Sequence, residues 1–236
     1  LHKAIRRQRQ MCIRDSGIMD YVTELAGEGS LTAPVFWQTE KKGRDRADKP
    51  EYKVKLSVAC CFSNKVNVIE HYHNSSWLEH GGAPDKAVRN AFVYQIDAYL
   101  KQNNKYNKNE SKITFQDVED CLVIVISSFS TQTSYENQTK KAITNKGIQE
   151  AMVEMLRHNL EVYFIENPLD AEKIAGQVLV NKRSREDAED MLQRLSGREH
   201  TVYSGLTVCW QGRSVTQHEA TAVRFRPLTQ ADITHY

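Results

Sequence analysis

Tyr52-Lys53-Val54-Lys55-Leu56-Ser57-Val58-Ala59-Cys60-Cys61-Phe62 carries an apolar side chain at every second position, from Tyr52 through Val54, Leu56, Val58 and Cys60 to Phe62. A period of two puts those six on one face of a pleated chain, with Lys53, Lys55 and Ser57 on the other, which predicts a half-buried strand. Residues 66–72 can form a second strand, paired with the first through Ser63-Asn64-Lys65. Residues 122–126, Leu-Val-Ile-Val-Ile, are continuously apolar and mostly β-branched, the signature of a strand covered on both faces.

Around these strands the period changes. After Gly81-Gly82 and Pro84, Val88, Ala91, Phe92, Ile96, Tyr99 and Leu100 recur at three and four, an amphipathic helix that gives way to a solvated loop over 101–111. A polar loop over 127–141 follows the central strand. Ile148, Ala151, Met152, Met155, Leu156, Leu160 and Tyr163 then line one helical stripe, and Asn167-Pro168 offers an N-cap and an initiating proline for a second long helix. That helix has Ile174, Val178, Ala188, Met191, Leu192 and Leu195 on its apolar stripe, a fully polar interruption over 181–187, and Gly197 as its C-cap. Residues 201–208, a turn at Gln211-Gly212-Arg213 and residues 215–225 read as a hairpin, with 227–229 introducing a short capped helix. The class is α+β: a mixed sheet of about four strands with helices on one face and a long C-terminal helix, then a β-hairpin segment that cannot close a core alone.

Composition bounds the function. The 236 residues include 40% apolar and 26% charged, enough to bury a core, and 32 Lys plus Arg against 30 Asp plus Glu leave a net charge of +2. Nucleic-acid affinity would have to come from local clusters rather than a global field. The longest apolar run is far below the roughly 20 residues of a membrane span. Five cysteines without a C-x-x-C pair point to free thiols in a reducing compartment, the cytoplasm, and Cys60-Cys61 reads as one buried and one outward thiol. His71, His73 and His80 lack a Cys or carboxylate set to complete a metal shell, so no metal site is expected. Asp117, Glu119 and Asp120 read as first-turn helix carboxylates rather than an acid pair, and no catalytic residue is assigned.

The pieces Tyr52-Lys53-Val54-Lys55-Leu56-Ser57-Val58-Ala59, Asn67-Val68-Ile69-Glu70, His80-Gly81-Gly82, Ile113-Thr114-Phe115-Gln116-Asp117-Val118 and Gln138-Thr139-Lys140, followed by two long helices, resemble in this order the transducer domain of the gyrase B component of bacterial DNA gyrase and of related type II topoisomerases. The resemblance covers residues 17–182 and implies a ribosomal-S5-domain-2-like sheet. It also implies that Lys140 and Gln138 contact the γ-phosphate of ATP held by the ATPase domain of the same subunit. A compact ammonium can balance that phosphate, and a loop can move when it leaves. In the intact enzyme the implied cofactors are ATP and Mg2+. The implied partners are double-stranded DNA, a gyrase A-type subunit and a second copy in an ATP-dependent dimer. Lys101, Lys105, Lys108, Lys112, Lys182, Arg183 and Arg185 are candidates for DNA phosphate contact, with ordinary surface charge as the alternative. Asn137 stands where the commoner pattern has Gly, and 70–77 replaces a shorter stretch.

Two flanks read differently. Residues 1–16, with Arg7-Gln8-Arg9-Gln10-Met11-Cys12-Ile13-Arg14-Asp15-Ser16, resemble translated sequencing-adapter sequence and are expected to be a non-native leader. Residues 183–236, with Leu195-Ser196-Gly197-Arg198-Glu199-His200 and Arg224-Phe225-Arg226-Pro227-Leu228, resemble part of a Maf-type nucleoside triphosphate pyrophosphatase without the elements that build its site. A chimeric chain with a seam between Lys182 and Asp190 is the expectation. The alternative functions are a pyrophosphatase fragment and a stand-alone DNA-binding module.

Overall fold

The computed structural model describes residues 15–136, 138, 141–211 and 213–234, and the chain divides into two units, Leu1–Asn181 and Lys182–Tyr236. In chain order the first holds α1 (Asp15–Ala26), β1 (Val35–Gly43), β2 (Tyr52–Phe62), β3 (Val68–His73), β4 (Ser76–Trp77), β5 (Gly81–Gly82), α2 (Ala83–Gln102), α3 (Phe115–Glu119), β6 (Leu122–Ser130), β7 (Ala142–Ile143), α4 (Lys146–Glu166) and the start of α5 (Pro168–Leu195).

Five strands form the main sheet, in the order β1-β2-β6-β3-β4. The apolar 122–126 run sits at its centre. β6 pairs antiparallel with β2, Leu122 opposite Phe62, and parallel with β3, Val123 opposite Val68. This corrects the expected pairing of 66–72 with β2: the strand with the most apolar surface to hide takes the middle, and the chain through Ser63 leads out to β6's other edge. The fifth strand comes from β1, which lies antiparallel along β2.

Both faces of the sheet are covered, not one. Val54, Leu56, Val58, Cys60, Phe62, Leu122, Ile124 and Ile126 pack with α2 and α4 residues such as Phe92, Ile96, Met152 and Leu156. On the opposite face Ala59, Cys61, Tyr72, Val123 and Val125 pack under Ile18, Tyr21, Val22 and Ala26 of α1. The half-buried reading of β2 therefore holds only at its Lys53 end. Cys61, expected to point outward, is buried beneath α1. Burying each large aliphatic here contributes roughly 1.5–3 kcal/mol.

The helices follow local signals. Thr114 and Asp117 form a capping box at α3, Asp117 accepting from the Thr114 amide at 2.6 Å. Asn167 does not cap α5 with its side chain; its amide donates to the Tyr163 carbonyl at 3.1 Å and closes α4 instead. In the polar interruption, the Asn181 side chain donates to the Asp117 carbonyl at 3.0 Å, which fixes α5 against the α3 turn.

In the second unit α5 runs on to Leu195, and the hairpin of β8 (Glu199–Trp210) and β9 (Arg213–Arg224) keeps one antiparallel register from Glu199 opposite Arg224 to Trp210 opposite Arg213. A short α6 (Gln230–Thr234) follows, capped by Thr229 and Asp232. Gly197, with φ +67°, ends α5 in the left-handed conformation glycine tolerates best. Tyr203, Leu206, Val208, Trp210 and Val215 are exposed.

Candidate functional site: the loop between β6 and α4

The segment from β6 to α4 leaves the centre of the sheet and returns to the start of a 21-residue helix, with its two limbs bonded to each other. The Glu136 amide donates to the Ala142 carbonyl at 3.0 Å, the Thr144 amide to the Ser134 carbonyl at 2.8 Å, and Tyr135 bridges to Ile143. Outside this ladder β7 pairs in parallel with β5. Only glycine fits at Gly82, where φ is +80° and an added Cβ would lie 2.3 Å from the Ile143 carbonyl oxygen. The base of the loop is thus rigid, and Gln138 lies beyond it in an exposed turn. Lys140 and Thr139 lie outside the described residues.

Two buried polar groups fix the limbs. His73, without exposed surface, sits between Ser128 and Thr133, 2.9 Å from each hydroxyl. Ser128 spends its hydrogen on the Tyr72 carbonyl, so Nδ1 of His73 carries the proton and Nε2 accepts from Thr133. Burial lowers the His73 pKa to about 4, which keeps the ring neutral and suited to both bonds. On the returning limb Asn145 accepts from the Ser134 amide at 2.7 Å and donates to Asp45 at 2.9 Å.

Asp45 is the hub of this second fixture. Its carboxylate accepts from Tyr52 Oη at 2.5 Å and from the Gly147 amide at 3.0 Å, tying the β1–β2 corner to the first turn of α4. Burial and the bond to Asp45 push the Tyr52 phenol up to about 12. Gly147 is required by close approach, since a Cβ there would lie 2.6 Å from the Arg44 nitrogen. A cavity of about 650 Å³ opens beside this hub, lined by Arg46, Lys49, Tyr52, Gln132, Ser134, Thr144 and Lys146. None of Asp45, Arg46, Lys49 or Lys146 stood out in the sequence. The only signal available was the dense charge of 41–49.

The other candidates scatter. Lys101 pairs with Asp97 at 2.5 Å, Lys105 pairs with Glu172, and Lys108 and Lys112 are exposed. Arg183 is exposed and Arg185 bonds Glu189 at 3.0 Å. Lys182 has no exposed side-chain surface and bonds both oxygens of Glu186 at 2.9 Å, so its ammonium offers a DNA phosphate nothing to meet. Of the three histidines, His71 lies 3.6 Å from Asp85. Burial alone would raise the Asp85 pKa, but hydrogen bonds from His71 and Arg89 outweigh it and hold the carboxyl below its ordinary value. His73 is engaged as above, and His80 donates its backbone amide to the Lys141 carbonyl. Among the described residues no three His, Cys, Asp or Glu side chains converge as a metal shell would require. No described helix is long and apolar enough to cross a membrane.

Comparison with known proteins places this architecture. The DNA gyrase B family model matches residues 17–193, three quarters of the chain, and the Maf-like protein model matches residues 169–236. The DNA gyrase B protein of Metamycoplasma arthritidis is 28% identical over 199 residues, covering 84% of this chain and 31% of that protein. Its counterpart in Metamycoplasma hominis is 30% identical over 172 residues, covering 72% and 26%. The 43K ATPase domain of Thermus thermophilus gyrase B, solved in complex with an aminocoumarin, superposes with a TM-score of 0.61 at 19% identity, over 75% of this chain and 45% of that one. The topoisomerase IV ATP-binding domain of Francisella tularensis gives 0.57 at 21%, over 72% and 43%; at these identities the likeness is one of fold. The chain spans 31% and 26% of the length of the two gyrase B proteins. The family match over 17–193, on a mixed sheet with the Gln138 loop between its central strand and a long helix, settles the kinship: this chain belongs to the DNA gyrase B family.

Proposed function

We propose that residues 17–182 are the transducer domain of an ATP-hydrolysing type II topoisomerase, with the ribosomal-S5-domain-2-like fold of that domain. Its role is to couple ATP binding and hydrolysis to DNA strand passage. Lys140, with Gln138 beside it, answers to the γ-phosphate of ATP held by the ATPase domain of the same subunit. Thr139 has a positional role. ATP and Mg2+ bind that separate domain, and the working assembly includes duplex DNA, a gyrase A-type subunit and an ATP-dependent dimer. Lys101, which pairs with Asp97, and Lys108, Lys112 and Arg183 are the basic candidates with exposed side chains for DNA phosphates.

The observation that carries this reading is the loop's mounting. Gln138 stands exposed beyond a backbone ladder anchored at His73 on one limb and Asn145 on the other. A phosphate contact made there pulls on the sheet and on α4 together rather than on a slack segment. The test is Lys140→Ala in the complete related enzyme. ATP turnover and supercoiling should fall severely while ATP-independent relaxation persists; unchanged ATP turnover would refute the role.

For residues 183–236 we propose a separate origin, with a seam between Lys182 and Asp190. The two family matches overlap only across 169–193, on one continuous helix. A single long sequencing read across the gene tests it, and an uninterrupted genomic reading frame over 160–236 would refute it.

A further inference from the structure

We propose that the cavity between the β1–β2 corner and the start of α4 binds a compact polyphosphate anion, as inorganic polyphosphate or as the phosphate tail of a nucleotide. Three cations line it: Arg46 from the corner, Lys49 three residues on, and Lys146 from the first turn of α4. Around them, surface cations are neutralised by carboxylates: Lys41 by Glu154, Arg44 by Glu51, Lys53 by Glu40, Lys141 by Glu79. Arg46, Lys49 and Lys146 have no such partner among the described residues. Three like charges around one concavity repel one another, and an anion in their midst relieves that cost.

Asp45 also lines the cavity, and its carboxylate sets one negative charge against the three positive ones, but it forms no ion pair with them. Asp45 is occupied by Tyr52, Asn145 and the Gly147 amide. The 21-residue α4 adds the positive end of its dipole beside Lys146. The Ser134 hydroxyl at the wall supplies a neutral donor of the kind that orients phosphate oxygens, while the Thr144 hydroxyl donates to the Ser134 carbonyl at 3.3 Å. Shape decides between a small anion and a duplex. A volume of about 650 Å³ falls within the range of small-ligand clefts, whereas a duplex backbone tracks an extended stripe of charge.

The site is distinct from the contact given to Lys140, and its test needs no ATPase domain. Calorimetric titration of the 236-residue chain with tripolyphosphate should show saturable binding that weakens about tenfold or more when salt rises from about 50 to about 500 mM. The combined variant Arg46→Ala, Lys49→Ala, Lys146→Ala should lose about tenfold or more in affinity at unchanged melting temperature. All three side chains are exposed, so folding should survive, and the glutamine triple variant provides the same test should the alanine one melt early. A control replacing the exposed Lys86, Lys108 and Lys112 should bind within about twofold of the parent. ATP binding as tightly as tripolyphosphate assigns the phosphate tail alone; tighter binding assigns a nucleotide. The proposal is overturned by the absence of saturable binding, by equal losses in the control, or by a short DNA duplex binding through these three residues where tripolyphosphate does not.

Discussion

The β6 strand and the β8–β9 hairpin are both rich in apolar and β-branched residues, yet they meet opposite environments. Val123, Ile124, Val125 and Ile126 are wholly buried between α1 on one side and α2 and α4 on the other, while Trp210 is 69% and Leu206 68% exposed. Strand-forming residues thus specify a ladder in both places, but only a second layer turns the ladder into a core. Among the described residues of the second unit each strand of the hairpin pairs only with the other, so both outer edges lack a strand partner and large apolar side chains stay exposed.

Thiol chemistry gives the largest contrast. In a Cys12→Ser background, Cys209 on β8 should react with a thiol reagent about a thousandfold or more faster than Cys60, Cys61 and Cys121, whose modification requires opening of the first unit. Burial pushes the Cys61 thiol up to about 11 and raises Cys60 further, which adds chemical inertness to inaccessibility. Comparable rates, measured by mass spectrometry, would show that β2 is not sealed by α1. Truncation comes next: Ile124→Ala should cost about 3–4 kcal/mol in denaturant unfolding, and Leu206→Ala about 0.5 kcal/mol or less. Equal costs would mean the hairpin is packed.

Acid sharpens the contrast more gently. His73 is neutral when folded with a pKa of about 4, against an ordinary 6.5, so the unfolded chain takes up a proton that the folded one refuses. Stability of the first unit should therefore fall as pH drops from 6.5 toward 4, with a slope of at most about 1.4 kcal/mol per pH unit from this residue, and level off below. His73→Asn should remove that slope. The two capping boxes give the smallest difference. Thr114→Ala, whose partner Asp117 is buried, should cost about 1–2 kcal/mol, and Thr229→Ala, whose partner Asp232 is only partly buried, about 0.5 kcal/mol.

Much of the fold was legible because periodicity reports which side of an element faces apolar neighbours. The stripe from Ile148 to Tyr163 is the buried face of α4, and Pro84 lies in the first turn of α2. The Gln138 segment follows the central strand as its polar composition implied. The strand partners were not legible. Nothing in 66–72 says whether it joins β2 or the far edge of β6, because both offer the same backbone donors and acceptors. Nor do Arg46, Lys49 and Lys146 share a motif, since about a hundred residues separate the first two from the third and only the Asp45 hub brings them to one cavity.

By itself the sequence determined the types of β2, β6, α2, α4, α5 and the β8–β9 hairpin, the identity of the most deeply buried strand and kinship with the gyrase B family, since each rests on local pattern or ordered motifs; α1, β1 and the run of β6 on to Ser130 were not read from it. Tertiary structure alone decided that α1 closes the second face over Cys61 and that Lys182 is buried rather than presented. It alone also gathered Arg46, Lys49 and Lys146 around one cleft. Burial and charge pairing are properties of what lies across space from a side chain, and residue order does not encode that distance directly.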